Sequence, residues 1–178
     1  GIYSCIDGAQ SAGMIELNLE DINPDFYSCS GYKWLGGPKG TGILYTNKRI
    51  LNSFKPAYVG ANSDLNFNLR TMQIEYKKLA EREEYGNRNI PLLIGLKTAV
   101  EFLSELKMKE VHSRNLELSK RFKKGLSKLE GVQIISPKRA DFYASIISFK
   151  IKNKDYEEIV EKMVKKMYFL TVVREKFF

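Results

Sequence analysis

Ser30-Gly31-Tyr32-Lys33-Trp34-Leu35-Gly36-Gly37-Pro38-Lys39-Gly40-Thr41-Gly42-Ile43-Leu44-Tyr45 sets a lysine between two aromatic residues, ahead of a glycine-rich run and a short apolar stretch. The run Gly37-Pro38-Lys39-Gly40-Thr41-Gly42 has two glycines at phosphate-loop spacing. The Lys-Ser/Thr pair that must follow is absent, because Ile43 and Leu44 come next. That argues against a nucleotide P-loop. Residues 25–29 before this stretch and 43–46 after its glycines read as strands. Further upstream, residues 2–6 read as a short buried strand that Asp7-Gly8 stops. Asp7 thus follows the end of one strand, and Lys33 follows the end of another, 26 residues later. In open parallel sheets, ligands sit beyond the carboxyl ends of the strands. If 2–6 and 25–29 run parallel in one sheet, Asp7 and Lys33 face one crevice.

An acid and a lysine so placed suit a pyridine aldehyde cofactor. The lysine forms a Schiff base, and the carboxylate keeps the ring nitrogen protonated so that the ring accepts electrons. The competing interpretation is plain: Asp7 caps a turn and Lys33 is a surface lysine. Spacing alone favours the plain interpretation, so the choice falls to the local words of the sequence.

Composition narrows the field first. The chain has 178 residues, 43% of them hydrophobic, enough for one domain or two small ones with a packed core. No apolar run is long enough to span a membrane. The first residue is Gly1, and no charged-then-apolar leader follows it, so no secretory signal is expected. Two cysteines, Cys5 and Cys29, are too few for a disulfide scaffold, and with His112 as the single histidine no metal site is expected. A cytoplasmic setting is the expectation. The net charge of +8 is uneven: residues 1–100 carry +1 and residues 101–178 carry +7. A basic half suits nucleic acid or an acidic partner. Lys120, Lys123, Lys124 and Lys128, however, recur at helical spacing on what reads as a solvated face, so nucleic acid is not expected.

Along the chain, residues 9–24 are mixed, with a turn at Asn23-Pro24. Asn47 caps a short helix running to about Phe54. Residues 55–88 read as a long excursion of the kind that builds sites. A helix is expected from Asn89 to about Leu106, with Pro91 in its first turn and Leu93, Leu96, Val100 and Leu103 on one face. A second helix follows from about Lys109 to Leu129, ended by Gly131. The remainder reads strand (132–136), strand (144–151), helix (155–167), strand (168–174). Two domains follow: residues 1–102, ending in a linker helix, and a small α+β domain over 103–178. His112 is expected on the solvent side of its helix, and Cys5 in the core.

Asp7-Gly8-Ala9-Gln10, together with the stretch from Ser30 to Tyr45, resembles the class V aminotransferase family. These are pyridoxal-phosphate enzymes of fold type I, among them cysteine desulfurases, kynureninase-like and isopenicillin N epimerase-like enzymes. The resemblance continues through Glu84-Tyr85-Gly86-Asn87-Arg88-Asn89 and Leu170-Thr171-Val172-Val173-Arg174-Glu175, so it spans most of the chain. It implies an α/β fold: part of the fold type I large domain plus a small α+β carboxyl-terminal domain. It implies that Lys33 is the Schiff-base lysine and afterwards shuttles a proton. Asp7 would pair with the pyridinium nitrogen, Gln10 with the ring hydroxyl, and Ser30 and Tyr32 with the cofactor phosphate. Asn87 falls where relatives often carry a threonine that reaches the neighbouring subunit's phosphate. Arg174 is a candidate for the substrate carboxylate. The glycine run would be a backbone turn behind the lysine, where small residues let the chain pass close to the cofactor. Trp34 would pack rather than stack on the cofactor. Tyr32 before the lysine, then Trp34-Leu35, resembles the epimerase-like branch.

Members of the family are much longer, and the resemblance covers about their second half. The expectation is therefore a fragment of a complete enzyme acting on an amino acid or amine by transamination, epimerisation or lyase chemistry. The complete enzyme would be a homodimer. A desulfurase would carry its reactive cysteine further along than this chain extends, so Cys5 and Cys29 do not speak for that activity. The alternative is a truncated, non-catalytic paralogue whose basic surface over 101–178 binds a partner. A sheet lacking several strands would leave open edges and exposed apolar surface.

Overall fold

Asp25 shows why the first strands form where they do. Its buried carboxylate accepts from the Ser4 amide at 2.8 Å and the Ser4 hydroxyl at 2.9 Å. It also accepts from Arg49 Nε at 3.1 Å and Nη2 at 2.8 Å. In return the Asp25 amide donates to Ser4 Oγ. One carboxylate thus ties together the residue before one strand, the residue before the next, and a following turn of helix. The strands are β1 (Cys5–Asp7) and β2 (Phe26–Ser30), which pair in parallel with Cys5 opposite Phe26 and Asp7 opposite Ser28. β3 (Gly42–Thr46) runs antiparallel on the other side of β2, placing Gly42 opposite Ser30. The order is β1-β2-β3.

The computed structural model describes residues 1–139 and 145–166. Between β1 and β2 lies the short helix α1 (Leu19–Ile22), capped by Asn18 and ended by Asn23 in the left-handed region at φ 50°. After β3, Asn47 caps a 3-10 helix, Lys48–Ser53, which buries Ile50 and Leu51. The 55–88 excursion contains an antiparallel hairpin, β4 (Asp64–Asn68) with β5 (Gln73–Tyr76), and a second 3-10 turn, Ala80–Glu83. Ser63, fully buried, anchors the hairpin by bonding both ways with Gly60 and accepting from the Lys77 amide. Arg82, also buried, donates to the Phe54 carbonyl at 2.9 Å and lies over the Phe54 ring.

α2 (Ile90–Leu106) starts at its Asn89 cap, whose side chain accepts from the Leu92 amide. Its buried residue is Leu96, and burying a leucine is worth about 1.5–3 kcal/mol. α3 (Met108–Leu126) follows, then β6 (Val132–Ile134) paired antiparallel with β7 (Phe149–Ile151), and α4 (Tyr156–Lys165) capped by Asp155. Gly131, at φ 77°, makes the turn into β6. The expected strand over 168–174 and the start of that over 144–151 lie outside the described residues.

By backbone proximity alone the chain divides into two compact units, Gly1–Asn115 and Leu116–Phe178. In the second unit Phe122 and Phe149 meet edge to face. Lys120, Lys124 and Lys128 are exposed, as their helical spacing suggests, while Lys123 is half-buried and donates to the Pro137 carbonyl.

Three expectations need correction. The strand expected over 2–6 spans only Cys5–Asp7 and is not buried, since Ile2 is fully exposed and Tyr3 is 53% exposed. Cys5 is exposed rather than in the core, because β1 is an edge strand. His112 is half-buried rather than on the solvent side. Among the described residues β1 and β3 are the outer strands of this sheet, and Ile43 and Leu44 on β3 are 43% and 49% exposed. No described helix is long and apolar enough to cross a membrane.

Candidate active site

The parallel pairing of β1 and β2 puts their carboxyl ends at the same end of the sheet. Asp7 closes β1. Ser30 closes β2, two residues past Asp7's register partner Ser28. Lys33 follows in the connection from Ser30 to Gly42, which returns to the same sheet end because Gly42 opposes Ser30.

Asp7 does cap a turn: its Oδ1 accepts from the Ala9 amide at 2.9 Å. One carboxylate oxygen is engaged there, leaving Oδ2 for another partner. The turn after β1 is held by the Gly8 amide donating to the Ser28 carbonyl at 2.7 Å and by the Tyr27–Ser11 hydroxyl pair at 2.8 Å. Burial pushes the Tyr27 hydroxyl pKa up, with Ser11 opposing the shift. Tyr27 thus stays a neutral phenol that buttresses the turn. Gly8 is needed here, since a Cβ would fall 2.0 Å from the Tyr27 ring.

The lysine connection is a tight double turn. The Gly36 amide donates to the Lys33 carbonyl, Gly37 to Gly31, and Gly31 to Thr41. Gly36 sits at φ 72°, a left-handed backbone that favours glycine. α2 packs behind this turn: a Cβ on Gly37 would lie 2.8 Å from Leu96, and one on Gly95 would lie 2.7 Å from Pro38. An open groove of ≈ 500 Å³ lies alongside, lined by Trp34, Leu35, Gly95, Ala99, Phe102 and Leu103.

The two turns touch. Trp34 Nε1 donates to Gln10 Oε1 at 2.8 Å, so Gln10 sits against the residue next to Lys33. Sequence reasoning missed this bond, because nothing in residue spacing reveals a side-chain pair 24 positions apart. Ser30 is half-buried, while Asp7, Gln10, Tyr32 and Lys33 are exposed. Asn87 is exposed just before α2, and no hydrogen bond among the described residues ties it to the sheet end. Arg174 lies outside the described residues. Cys29 is half-buried, and burial pushes its thiol pKa up, the opposite of what a nucleophilic thiol needs.

Solved structures similar to this chain belong to longer proteins. A cysteine desulfurase structure from Thermococcus onnurineus NA1 superposes with a TM-score of 0.82 at 27% identity, covering 93% of this chain and 40% of that one. A mutant of C-DES with glycine covalently linked to its PLP cofactor matches with a TM-score of 0.82 at 26% identity, over 93% of this chain and 43% of that one. These neighbours bear out the α/β, fold type I architecture. In sequence, a probable cysteine desulfurase from Pyrococcus abyssi is 30% identical over 85% of this chain and 37% of its own length. One from Staphylococcus epidermidis is 31% identical over 85% of this chain and 36% of its own. The chain therefore spans about two fifths of the length of the relatives it matches. The resemblance first carried by Asp7, Gln10 and Lys33 extends well beyond them. The aminotransferase class-V model matches residues 1–167, and the chain belongs to that family.

Proposed function

We propose that the chain carries part of a pyridoxal-phosphate site that acts on an amino acid through Lys33. The observation that supports this most is the parallel β1–β2 register, which brings Asp7, Ser30 and the Lys33 turn to one sheet end. The groups there fit the cofactor one by one. A free carboxylate oxygen on Asp7 matches a pyridinium nitrogen, and the Gln10 carboxamide a ring oxygen. The hydroxyls of Ser30 and Tyr32 match a phosphate, and the Lys33 amine an aldehyde. The crowded glycines behind the turn match a backbone that must keep close to a flat ring.

Bound there, pyridoxal phosphate supplies an electron-accepting ring that eases bond breaking at a substrate's α-carbon. The chain's own residues do the rest. Asp7 Oδ2 would hold a proton on the ring nitrogen by pairing with it. The Lys33 amine would hold the aldehyde carbon and, once displaced, carry a proton to and from the α-carbon at Nζ. Ser30 and Tyr32 would donate to phosphate oxygens. In the complete protein, taken as a homodimer with a cytoplasmic setting, Asn87 would donate across the subunit boundary and Arg174 would fork onto a substrate carboxylate. The domain boundary at 102/103 belongs to the same proposal. Because C-DES is described as a cystine C–S lyase and the sequence relatives as probable cysteine desulfurases, a sulfur-containing amino acid is the substrate class we favour.

The test is direct. The chain is mixed with pyridoxal phosphate, reduced with borohydride, and the modified lysine mapped by mass spectrometry. A selective adduct on Lys33, lost in Lys33→Ala together with any turnover, is the expected result. Labelling spread evenly over surface lysines, identical in both proteins, would sink the assignment.

A further inference from the structure

We infer that Trp34 is a positioning residue: its indole N–H fixes the Gln10 carboxamide so that Gln10 offers only donors to the site. This rests on the proposed pyridoxal-phosphate reading and deepens it. An indole nitrogen donates and never accepts, whereas a carboxamide has one accepting end and one donating end. With Trp34 Nε1 at 2.8 Å, the Gln10 carbonyl oxygen must be the atom facing Trp34. The Gln10 NH2 is thereby turned to the other side, carrying two donors and no acceptor. A freely rotating glutamine would offer either end.

The backbone holds the two partners in place. Gly13 sits at φ 82°, and a Cβ there would lie 2.6 Å from the Trp34 carbonyl oxygen and 2.7 Å from the Leu35 amide nitrogen. The turn bearing Gln10 is therefore pressed directly against the turn bearing Trp34. Its far end is held too, by Asn115 Nδ2 donating to the Met14 carbonyl at 2.9 Å. A fixed NH2 suits an anionic oxygen and disfavours a hydroxyl that must itself donate. On the cofactor, that is the ring oxygen in its ionised form. A donor locked onto that oxygen lowers the pH at which it ionises. Losing the lock raises that pH.

Trp34 is the single tryptophan of the chain, so its indole N–H gives one resolvable NMR resonance. In Gln10→Leu that resonance is expected to move upfield and its hydrogen exchange to quicken about tenfold, the size of one lost hydrogen bond. An unchanged resonance and exchange rate overturns the inference without any cofactor being present. The second readout is the pH midpoint of the absorbance of the Lys33–cofactor adduct. Trp34→Phe keeps the ring and removes the N–H. Its midpoint is expected to rise by about one pH unit, a tenfold change in ionisation. Gln10→Ala is expected to shift it similarly, and the double variant no further. An adduct that forms normally in Trp34→Phe with an unmoved midpoint, or two shifts that simply add, overturns the inference alone. Failure of the wild-type chain to form a selective Lys33 adduct overturns the parent reading and the inference with it.

Discussion

The sheet end around Lys33 and the β4–β5 hairpin are both irregular in sequence and rich in polar residues, yet they are built on opposite principles. At the sheet end, backbone passes so close to neighbouring atoms that Gly8, Gly13, Gly31 and Gly37 could not carry a Cβ without displacing something. On the hairpin, Leu65, Leu69 and Met72 are 58%, 78% and 71% exposed, and little presses on them. Tight backbone contact restricts residue choice position by position, which is why the sheet end carries recognisable words. An open hairpin needs only alternation and a workable turn, which many sequences supply.

The sharpest test of the crowding at the sheet end is to add a single methyl group there and another at an uncrowded glycine outside both regions. Gly13→Ala meets both a left-handed backbone and the Trp34–Leu35 peptide, atoms that cannot rotate away. It is expected to lose about 2–4 kcal/mol in urea unfolding, from backbone strain plus overpacking. Gly86→Ala faces open space at an ordinary φ and is expected to stay within about 0.5 kcal/mol of wild type. Equal losses in the two variants would erase the distinction.

A smaller effect is expected at the opposite end of the same sheet. The Asp25 carboxyl is held below the ordinary carboxylate range, first by the Ser4 amide that hydrogen-bonds it and then by Arg49. A group with a depressed folded pKa contributes stability that is fully present above its unfolded pKa, near 3.9, and is lost as pH falls through the folded value. Asp25→Asn cannot titrate, so its thermal midpoint should lie below wild type at neutral pH. The gap should then narrow as the pH drops below about 4. A gap that stays constant with pH would mean that the carboxylate's charge does not hold β1 to β2.

These contrasts also explain what the sequence made legible. β1, β2, β3, the Asn47 cap and α2 from Asn89 each have a local cause: a short apolar run, a capping side chain or a proline in the first turn. The hairpin also has the period-two pattern of a strand pair, with Leu65 and Phe67 on one strand and Ile74 and Tyr76 on the other. It stayed hidden because its loop, Leu69-Arg70-Thr71-Met72, contains no Gly, Pro or Asn-Gly. The turn chemistry comes instead from Asn68, whose Oδ1 accepts from the Arg70 and Thr71 amides, and from Met72 at φ 54°. At the candidate site, the local words placed Asp7, Gln10, Ser30 and Lys33 at one sheet end. The Trp34–Gln10 bond and the exposure of Cys5 depend on how distant segments pack, and no local pattern encodes them.

The smallest effect is expected on the hairpin itself, and it tests the contrast from the other side. Leu65→Ser removes an apolar side chain that is already 58% exposed. Little burial is lost, and serine is tolerated at a strand's solvent face, so unfolding stability should change by no more than about 0.5 kcal/mol. The measurement is a urea midpoint at low and at high protein concentration. A loss above about 1 kcal/mol at both concentrations would mean that Leu65 is covered within the chain, and the hairpin would then be as constrained as the sheet end. A loss that appears only at high concentration would mean that a second copy covers it, because association stabilises the folded state by mass action. An unchanged midpoint at both concentrations leaves the hairpin as the open counterpart of the glycine-bound sheet end.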